Sequence, residues 1–116
     1  MIWVNGAGGM IGSHMMELLY GESIDIFGTF YNPTTDISEL DNSIEMFECD
    51  IRDAAKVDSI IRQRKPSVVY HLAAQSFPAV SWEKPWETIE TNIGGTIHVF
   101  EAIKRMRIID PKYDPM

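Results

Sequence analysis

A glycine-rich motif near the N-terminus constrains the fold of this chain of 116 residues more than any other feature. The motif is Gly6-Ala7-Gly8-Gly9-Met10-Ile11-Gly12, and it follows the short apolar run Ile2-Trp3-Val4-Asn5. Apolar residues then recur with helical spacing over residues 10–19. A buried strand that turns through glycines into an amphipathic helix is how a βαβ unit begins. The motif therefore predicts an α/β fold built on a parallel sheet.

Strand and helix patterns alternate along the rest of the chain. Further strands are predicted at residues 24–30, 44–49 and 67–74, and a helix at residues 53–65 with Asp53 as its N-cap. The almost continuous apolar run at 67–74 is typical of a strand covered on both faces. With right-handed crossovers, the four strands take the order 3-2-1-4. We expect the first four strands of a Rossmann-type doubly wound parallel sheet with flanking helices.

A long helix is predicted from about Trp86 to Met106, after Pro85. Its apolar stripe consists of Ile89, Ile93, Ile97, Phe100 and Ile103. The residues that follow, 110–116, contain Asp, Lys and two prolines and are expected to form an exposed connector.

Composition excludes several classes of function. The formal net charge of −7 disfavours binding to nucleic acid or to an anionic membrane surface. No apolar run approaches the roughly 18 residues of a membrane span, and no basic segment precedes the first apolar run. Cys49 is the only cysteine, so an internal disulfide is impossible and a cytoplasmic location is expected. His14, His71 and His98 do not share metal-ligand spacing with each other or with Cys49, so no metal site is expected.

The glycines at positions 6, 9 and 12 have distinct predicted roles in binding a dinucleotide. Gly6 permits the sharp turn after the strand, Gly9 lets the backbone approach a pyrophosphate, and Gly12 permits close packing of the helix on the sheet. The free N–H groups at the helix start bind the negative charge. The spacing is G-x-x-G-x-x-G, one residue away from the common G-x-G-x-x-G, with Gly8 as an extra glycine. A glycine-rich turn that binds nothing is the alternative interpretation.

The end of the second predicted strand bears on which dinucleotide is bound. NAD-binding proteins of this type place an acidic residue there, which binds the ribose 2′-hydroxyl. Phe30-Tyr31-Asn32 occupies the corresponding positions and contains no acid. The sequence therefore favours NADP, with NAD as the alternative. No arginine follows the strand, so Thr29, Tyr31 and Asn32 are the candidate hydrogen-bond donors to a 2′-phosphate.

Four ordered motifs together resemble the extended short-chain dehydrogenase/reductase family. They are Gly6 to Gly12, Cys49-Asp50-Ile51-Arg52-Asp53, His71-Leu72-Ala73-Ala74-Gln75-Ser76, and Asn92-Ile93-Gly94-Gly95-Thr96 with Glu101-Ala102. The stretch from His71 to Asn92 is similar to nucleotide-sugar members, above all GDP-mannose 4,6-dehydratases and GDP-4-keto-6-deoxymannose reductases. The resemblance covers nearly the whole chain.

The resemblance implies a role for each motif. The pyrophosphate would lie against Gly6, Gly9, Met10, Ile11 and Gly12, and the adenine against Asp50 and Ile51. The ribose and nicotinamide side would be flanked by Leu72, Ala73 and Ala74, and the sugar substrate approached by Ser76. Asn92 would brace the backbone. Two alternatives remain open: Asp50 is a turn cap, or Ala73 and Ala74 are small only because a helix crosses them.

Catalysis in this family uses a Ser or Thr and a Tyr-x-x-x-Lys pair. None of the four tyrosines here has a lysine four positions later, so no catalytic residue is assigned. We therefore expect residues 1–116 to be the N-terminal NAD(P)-binding part of a nucleotide-sugar dehydratase or reductase, truncated before the catalytic region and inactive alone. The resemblance also implies a homodimer that uses the long helix. The alternatives are a fragment of an NAD-dependent epimerase, a non-catalytic dinucleotide-binding module, and an enzyme assembled from two chains.

Overall fold

A four-stranded parallel sheet forms the centre of the molecule. The structure is a computed structural model that describes all of residues 1–116. The strands run in the order β3-β2-β1-β4, which confirms the predicted order. Their bounds are β1 (Ile2–Asn5), β2 (Ile26–Phe30), β3 (Met46–Glu48) and β4 (Val68–His71). Each strand lies inside its predicted segment, and the three later strands are shorter than predicted.

Five α-helices connect and flank the strands. They are α1 (Met10–Gly21), α2 (Ala54–Arg64), α3 (Pro78–Glu83), α4 (Pro85–Ile89) and α5 (Gly95–Ile109). A single 3₁₀ turn occupies Ile37–Glu39, and a π-helical turn, Glu90–Gly94, joins α4 to α5. Asp53 caps α2 as predicted, because its carboxylate accepts a hydrogen bond from the Lys56 N–H at 3.1 Å. Six residues are too few to show helical periodicity, so α3 was not predicted. No helix combines the length and the apolar composition that crossing a membrane would require.

Two apolar clusters cover the two faces of the sheet. Alternate residues of β1 point into different clusters, Trp3 into one and Val4 into the other. The Trp3 cluster includes residues from α2 and α5, and the Val4 cluster includes Met16 of α1. The buried indole N–H of Trp3 donates to the Thr29 hydroxyl at 3.0 Å. The helices thus flank both faces, as the doubly wound fold requires.

The prediction that β4 is covered on both faces is wrong. All four of its residues are partly exposed, and the side chain of Tyr70 is 37 % exposed. The helix α1 packs against β1 and β2. On its outer side β4 bonds to a single residue: the Val69 N–H donates to the Met116 carbonyl at 2.7 Å, and the Met116 N–H donates to the Ser67 carbonyl at 3.0 Å.

The expectation of an exposed connector at residues 110–116 is only partly confirmed, since four of its residues are exposed but one is buried. Tyr113 is only 8 % exposed and belongs to the Trp3 cluster. Its hydroxyl donates to the Pro66 carbonyl at 2.7 Å, and burial raises the pKa of Tyr113 to about 12. Lys65 Nζ lies 2.6 Å from an Asp110 carboxylate oxygen. Polar and proline residues suggested a loop, but one aromatic side chain docks this loop on the core.

The apolar stripe predicted for the long helix does not face the core. Its members Ile89, Ile93, Ile97 and Phe100 are exposed, and only Ile103 packs against the Trp3 cluster. The buried face of α5 carries smaller side chains instead: Gly95, Val99, Ala102 and Met106. The reason is the close approach of neighbouring structure, since a Cβ on Gly95 would lie 2.5 Å from Ile51 Cγ2.

Candidate functional site

The glycine motif forms the turn between β1 and α1 at the carboxyl edge of the sheet. Gly6 has a φ of +73°, and a Cβ there would lie 2.6 Å from the backbone nitrogen of Ala73. A Cβ on Gly12 would lie 2.1 Å from the Gly6 carbonyl oxygen. Gly12 therefore permits the helix to pack on the turn itself, whereas we had predicted packing on the sheet. The turn lies between β4 and β2, the neighbours of β1, where parallel sheets of this type bind ligands.

The positive end of the α1 helix dipole is not neutralised by any side chain of the N-cap or of the first turn. Gly9 occupies the N-cap without a side-chain hydrogen bond, and the first turn has no acidic residue. Ser13 is the first helical residue whose N–H has an acceptor within the chain, the Gly9 carbonyl at 2.9 Å. The N–H groups of Met10, Ile11 and Gly12 lack one. A Cβ on Gly9 would meet only the Gly6 oxygen, at 3.4 Å, so the space above Gly9 is open. Open backbone donors of this kind fit a pyrophosphate.

Gly8, the extra glycine, has a structural role that the sequence did not reveal. A Cβ on Gly8 would lie 2.6 Å from Pro33 Cβ. The Gly8 carbonyl accepts three hydrogen bonds: from the N–H groups of Thr34 and Thr35 at 3.0 and 3.1 Å, and from the Thr35 hydroxyl at 3.0 Å. These contacts fix the loop after β2 against the glycine turn.

An arginine lies at the end of β2 in space, although the chain segment directly after β2 contains none. The Arg52 guanidinium carbon is 5.7 Å from the centroid of the Tyr31 ring. Arg52 comes from the loop after β3, which pairs with β2 through Phe30 and Glu48. Arg52 was not predicted, because the residue that distinguishes the two cofactors was expected in the chain segment directly after β2. The signal that could have found it was the predicted strand order, which makes β3 the neighbour of β2.

Asp50 is bonded to Arg52 both by backbone and by side chain. Its carboxylate accepts from the Arg52 N–H at 3.0 Å, and from Nε and Nη2 at 3.0 and 2.7 Å. Burial opposes ionisation of Asp50, but these hydrogen bonds outweigh it and keep the pKa of Asp50 below its ordinary value. Asp50 therefore makes the turn cap of the alternative interpretation. Its contact with an adenine stays a prediction, as does that of the buried Ile51, whose carbonyl lies 2.9 Å from His98 Nδ1.

Asn5 joins the end of β1 to the residues after β4. Its side-chain oxygen lies 3.0 Å from each of three nitrogens: the backbone N–H groups of Leu72 and Ala73, and His71 Nδ1. An amide oxygen only accepts, so His71 Nδ1 carries a proton, and His71 Nε2 faces the Thr96 hydroxyl at 2.9 Å. Burial lowers the pKa of His71. The sequence analysis did not predict that Asn5 would make these three hydrogen bonds. A polar residue at the end of an apolar strand was the feature that could have indicated it.

Asn92 fixes the loop that carries Ser76. Its side chain accepts from the Gln75 N–H at 2.6 Å and donates to the Gln75 carbonyl at 2.9 Å. Asn92 lies in the π-helical turn, so the irregular helix supplies the anchor for this loop. The predicted bracing role of Asn92 is confirmed. Ser76 itself is exposed, and its contact with a substrate remains a prediction.

The predicted site residues fall into three groups in space. The glycine turn, Leu72 and Ala73 lie together. Tyr31 and Asp50 form a second group at the ends of β2 and β3, where both contact Arg52, which was not predicted. Ala74 and Ser76 continue the loop after β4. No group of three His, Cys, Asp or Glu side chains is arranged to hold a metal ion.

Comparison with known proteins decides the family. A family model described as GDP-mannose 4,6 dehydratase matches residues 3–113. The chain belongs to this family. The match confirms the predicted resemblance to the nucleotide-sugar branch of the extended short-chain dehydrogenases/reductases.

Individual relatives in and around the GDP-mannose 4,6-dehydratase family differ in their sugar nucleotides. A CDP-glucose 4,6-dehydratase of Salmonella typhimurium is 39 % identical over 71 residues, which are 61 % of this chain and 20 % of that protein. A GDP-mannose 4,6-dehydratase of Vibrio cholerae is 29 % identical over 112 residues, 87 % of this chain and 30 % of that protein. The chain spans between 20 and 36 % of the length of such relatives.

Solved structures of UDP-glucose 4-epimerases share the fold. The Thermus thermophilus enzyme, in complex with NAD, superposes with a TM-score of 0.80 at 30 % identity. The match covers 90 % of this chain and 33 % of that enzyme. The Thermotoga maritima enzyme, with UDP-glucose, gives a TM-score of 0.81 at 30 % identity over 89 % of this chain and 34 % of that enzyme.

Proposed function

We propose that this chain binds NADP(H) and forms the cofactor-binding part of a nucleotide-sugar dehydratase or reductase of the GDP-sugar type. The observation that carries the proposal is the N-terminus of α1. There a glycine turn leaves the N–H groups of Met10, Ile11 and Gly12 without acceptors, and no acidic side chain lies in the first turn. The site can therefore accept the two negative charges of a pyrophosphate.

The bound nicotinamide would exchange a hydride with a sugar carbon. The chain's own residues bind and orient. Asp50 and Ile51, in the loop after β3, would contact the adenine. Leu72, Ala73 and Ala74 follow β4 beside the glycine turn and would flank the ribose and nicotinamide. Ser76 would approach the sugar from a loop that Asn92 holds in place.

The preference for NADP rests on the end of β2. Phe30-Tyr31-Asn32 has no acid to repel a 2′-phosphate, and Tyr31 is exposed there. The complex of the Thermus thermophilus epimerase with NAD keeps NAD as the alternative. A GDP-sugar is favoured because the family match is to GDP-mannose 4,6-dehydratases.

We expect residues 1–116 to bind the cofactor without turning over a sugar. No tyrosine in this sequence has a lysine four positions later, and the pair is the acid/base of the extended family. Sugar turnover by these residues alone would contradict this expectation.

Self-association through α4 and α5 is the second part of the proposal. Ile89, Ile93, Ile97 and Phe100 form a continuous exposed apolar face, each three or four residues from the next. Apolar side chains in such a row stabilise a helix-to-helix interface. We propose that this face packs against the same face of a second copy.

The test of the proposed function is calorimetric titration of the chain with NADPH and with NADH, using Gly9→Asp as the diagnostic variant. Gly9 has the extended backbone of an N-cap, where Asp stabilises a helix. The same carboxylate would repel a pyrophosphate. We expect unchanged or higher thermal stability and at least a tenfold loss of affinity, about 1.4 kcal/mol. Gly9→Asn is the matched neutral control, with a smaller loss. The proposal is wrong if the unaltered chain binds neither cofactor. It is also wrong if Gly9→Asp binds both cofactors as tightly as the unaltered chain does.

A further inference from the structure

We propose that Arg52 binds the 2′-phosphate of the cofactor and thereby sets the preference for NADP over NAD. The neighbouring Glu87 carboxylate weakens this binding by repelling the phosphate. This inference rests on the proposed dinucleotide binding. It assigns the preference to a charged side chain from the loop after β3, and not to a residue of the chain segment directly after β2.

The position of Arg52 is the first argument. In this fold the group that distinguishes the two cofactors lies at the end of the second strand. The Arg52 guanidinium lies there, with its carbon 5.7 Å from the Tyr31 ring centroid. Its side chain is 27 % exposed, so it is partly accessible to solvent.

Unused hydrogen-bond donors are the second argument. A guanidinium has five N–H groups. Nε and Nη2 each donate to the Asp50 carboxylate, at 3.0 and 2.7 Å. Nη1 has only Glu87 nearby, at 3.8 Å, which is longer than a hydrogen bond. Three N–H groups therefore remain for a phosphate, which guanidinium binds with two parallel hydrogen bonds.

Asp50 and Glu87 act differently on this guanidinium. Asp50 grips Arg52 through its side chain and also accepts its backbone N–H, so the arginine is held in one orientation before any ligand arrives. Glu87 lies on α4, makes no hydrogen bond to Arg52, and places a negative charge beside the free Nη1. A phosphate at that edge would be repelled by Glu87. Removing the Glu87 charge should therefore tighten phosphate binding.

The experiment measures dissociation constants of the full chain for NADPH and NADH, with four variants. Arg52→Met keeps the length of the side chain and removes the charge. Glu87→Gln removes the competing carboxylate. Arg62→Met is the matched control, because Arg62 is an exposed α2 residue that pairs only with Asp58. The double variant Arg52→Met with Asp50→Asn tests whether Arg52 acts only by neutralising Asp50.

The expected results have opposite signs for the two single variants. Arg52→Met should bind NADPH about tenfold more weakly, about 1.4 kcal/mol, with NADH changed by less than about threefold. Glu87→Gln should bind NADPH about twofold to fivefold more tightly. Arg62→Met should match the unaltered chain, and the double variant should remain weak for NADPH.

Three outcomes would overturn the inference while leaving dinucleotide binding in place. They are equal loss of both cofactors in Arg52→Met, full recovery of NADPH binding in the double variant, and a tenfold preference of the unaltered chain for NADH. Failure of the unaltered chain to bind either cofactor would instead overturn the proposed function, and this inference with it.

Discussion

The side chain of Asn92 satisfies both backbone groups of Gln75, accepting from its N–H at 2.6 Å and donating to its carbonyl at 2.9 Å. Asn92, in the π-helical turn, thus makes the backbone hydrogen bonds that a neighbouring strand would otherwise make to the loop after β4. The loop is partly exposed and contains four of the proposed contact residues, Leu72, Ala73, Ala74 and Ser76.

Replacing Asn92 with alanine should lower the free energy of unfolding by about 2 kcal/mol, because two hydrogen bonds are lost and two backbone groups are left unpaired. Urea unfolding followed by circular dichroism measures this. Asn42→Ala, in an exposed turn, is the control and should change stability by less than about 0.5 kcal/mol. Equal effects of both substitutions would show that the Asn92–Gln75 contact contributes nothing specific.

Gly12→Ala and Gly21→Ala form a matched pair on α1. The Gly12 Cβ would lie 2.1 Å from the Gly6 oxygen, whereas a Cβ on Gly21 would meet nothing within 4 Å. We expect Gly12→Ala to cost about 3 kcal/mol, since backbone must move on both sides of the turn. Gly21→Ala should leave stability unchanged or raise it by up to about 1 kcal/mol. Thermal unfolding of the two variants decides; similar melting temperatures would contradict the predicted crowding at Gly12.

Tyr113 makes stability depend on alkaline pH. Burial raises its pKa to about 12, above the ordinary value of about 10, because the folded protein favours the neutral phenol. Its contribution is therefore complete below pH about 10 and falls as the pH rises towards 12. Urea unfolding at pH 8 and pH 11 should show a larger loss for the unaltered chain than for Tyr113→Phe. Identical losses of stability in the two proteins would show that a group other than Tyr113 causes the alkaline destabilisation.

Cys49 should be unreactive in the folded protein. Its side chain is 6 % exposed, and burial raises the pKa of the thiol to about 11. The thiolate, which is the reactive form, is therefore scarce at pH 8. A chromogenic disulfide reagent should label it slowly in buffer and quickly in 6 M guanidinium. Rapid labelling without denaturant would mean that the Trp3 cluster opens readily.

Ile97→Glu tests the proposed self-association. The Ile97 side chain is 52 % exposed in the middle of the apolar face of α4 and α5. A carboxylate in each copy would be buried in the interface, so the dimer should dissociate. Sedimentation equilibrium measures the mass. Leu18→Glu on α1, where Leu18 is 63 % exposed, is the control and should leave the dimer intact. A monomeric unaltered chain would show the proposal to be wrong.

The order of the strands could be predicted from the sequence because it depends on local patterns and on one handedness rule. The Asp53 cap could be predicted for the same reason. The buried face of α5 could not, because the helix carries two apolar rows. Periodicity favoured the larger side chains, whereas the close approach of Ile51 requires Gly95 on the inner side.

Long-range contacts account for the rest of what sequence analysis missed. Arg52 reaches the end of β2 through strand pairing, and Tyr113 returns to Pro66 across 47 positions of sequence. Neither contact has a local signature. The glycine motif is different: its N–H groups, its turn and its helix are all specified within seven residues, so the proposed pyrophosphate site was identifiable from sequence.

Ser67 is hydrogen-bonded on both sides, donating its N–H to the Met1 carbonyl at 2.9 Å and accepting from the Met116 N–H at 3.0 Å. Residues 1 and 116 thus flank the start of β4 on opposite sides, two strand spacings or about 10 Å apart. Backbone hydrogen bonds therefore protect the start of β4 on both sides, so the Ser67 N–H should exchange with solvent more slowly than the N–H of Asn42 in its exposed turn.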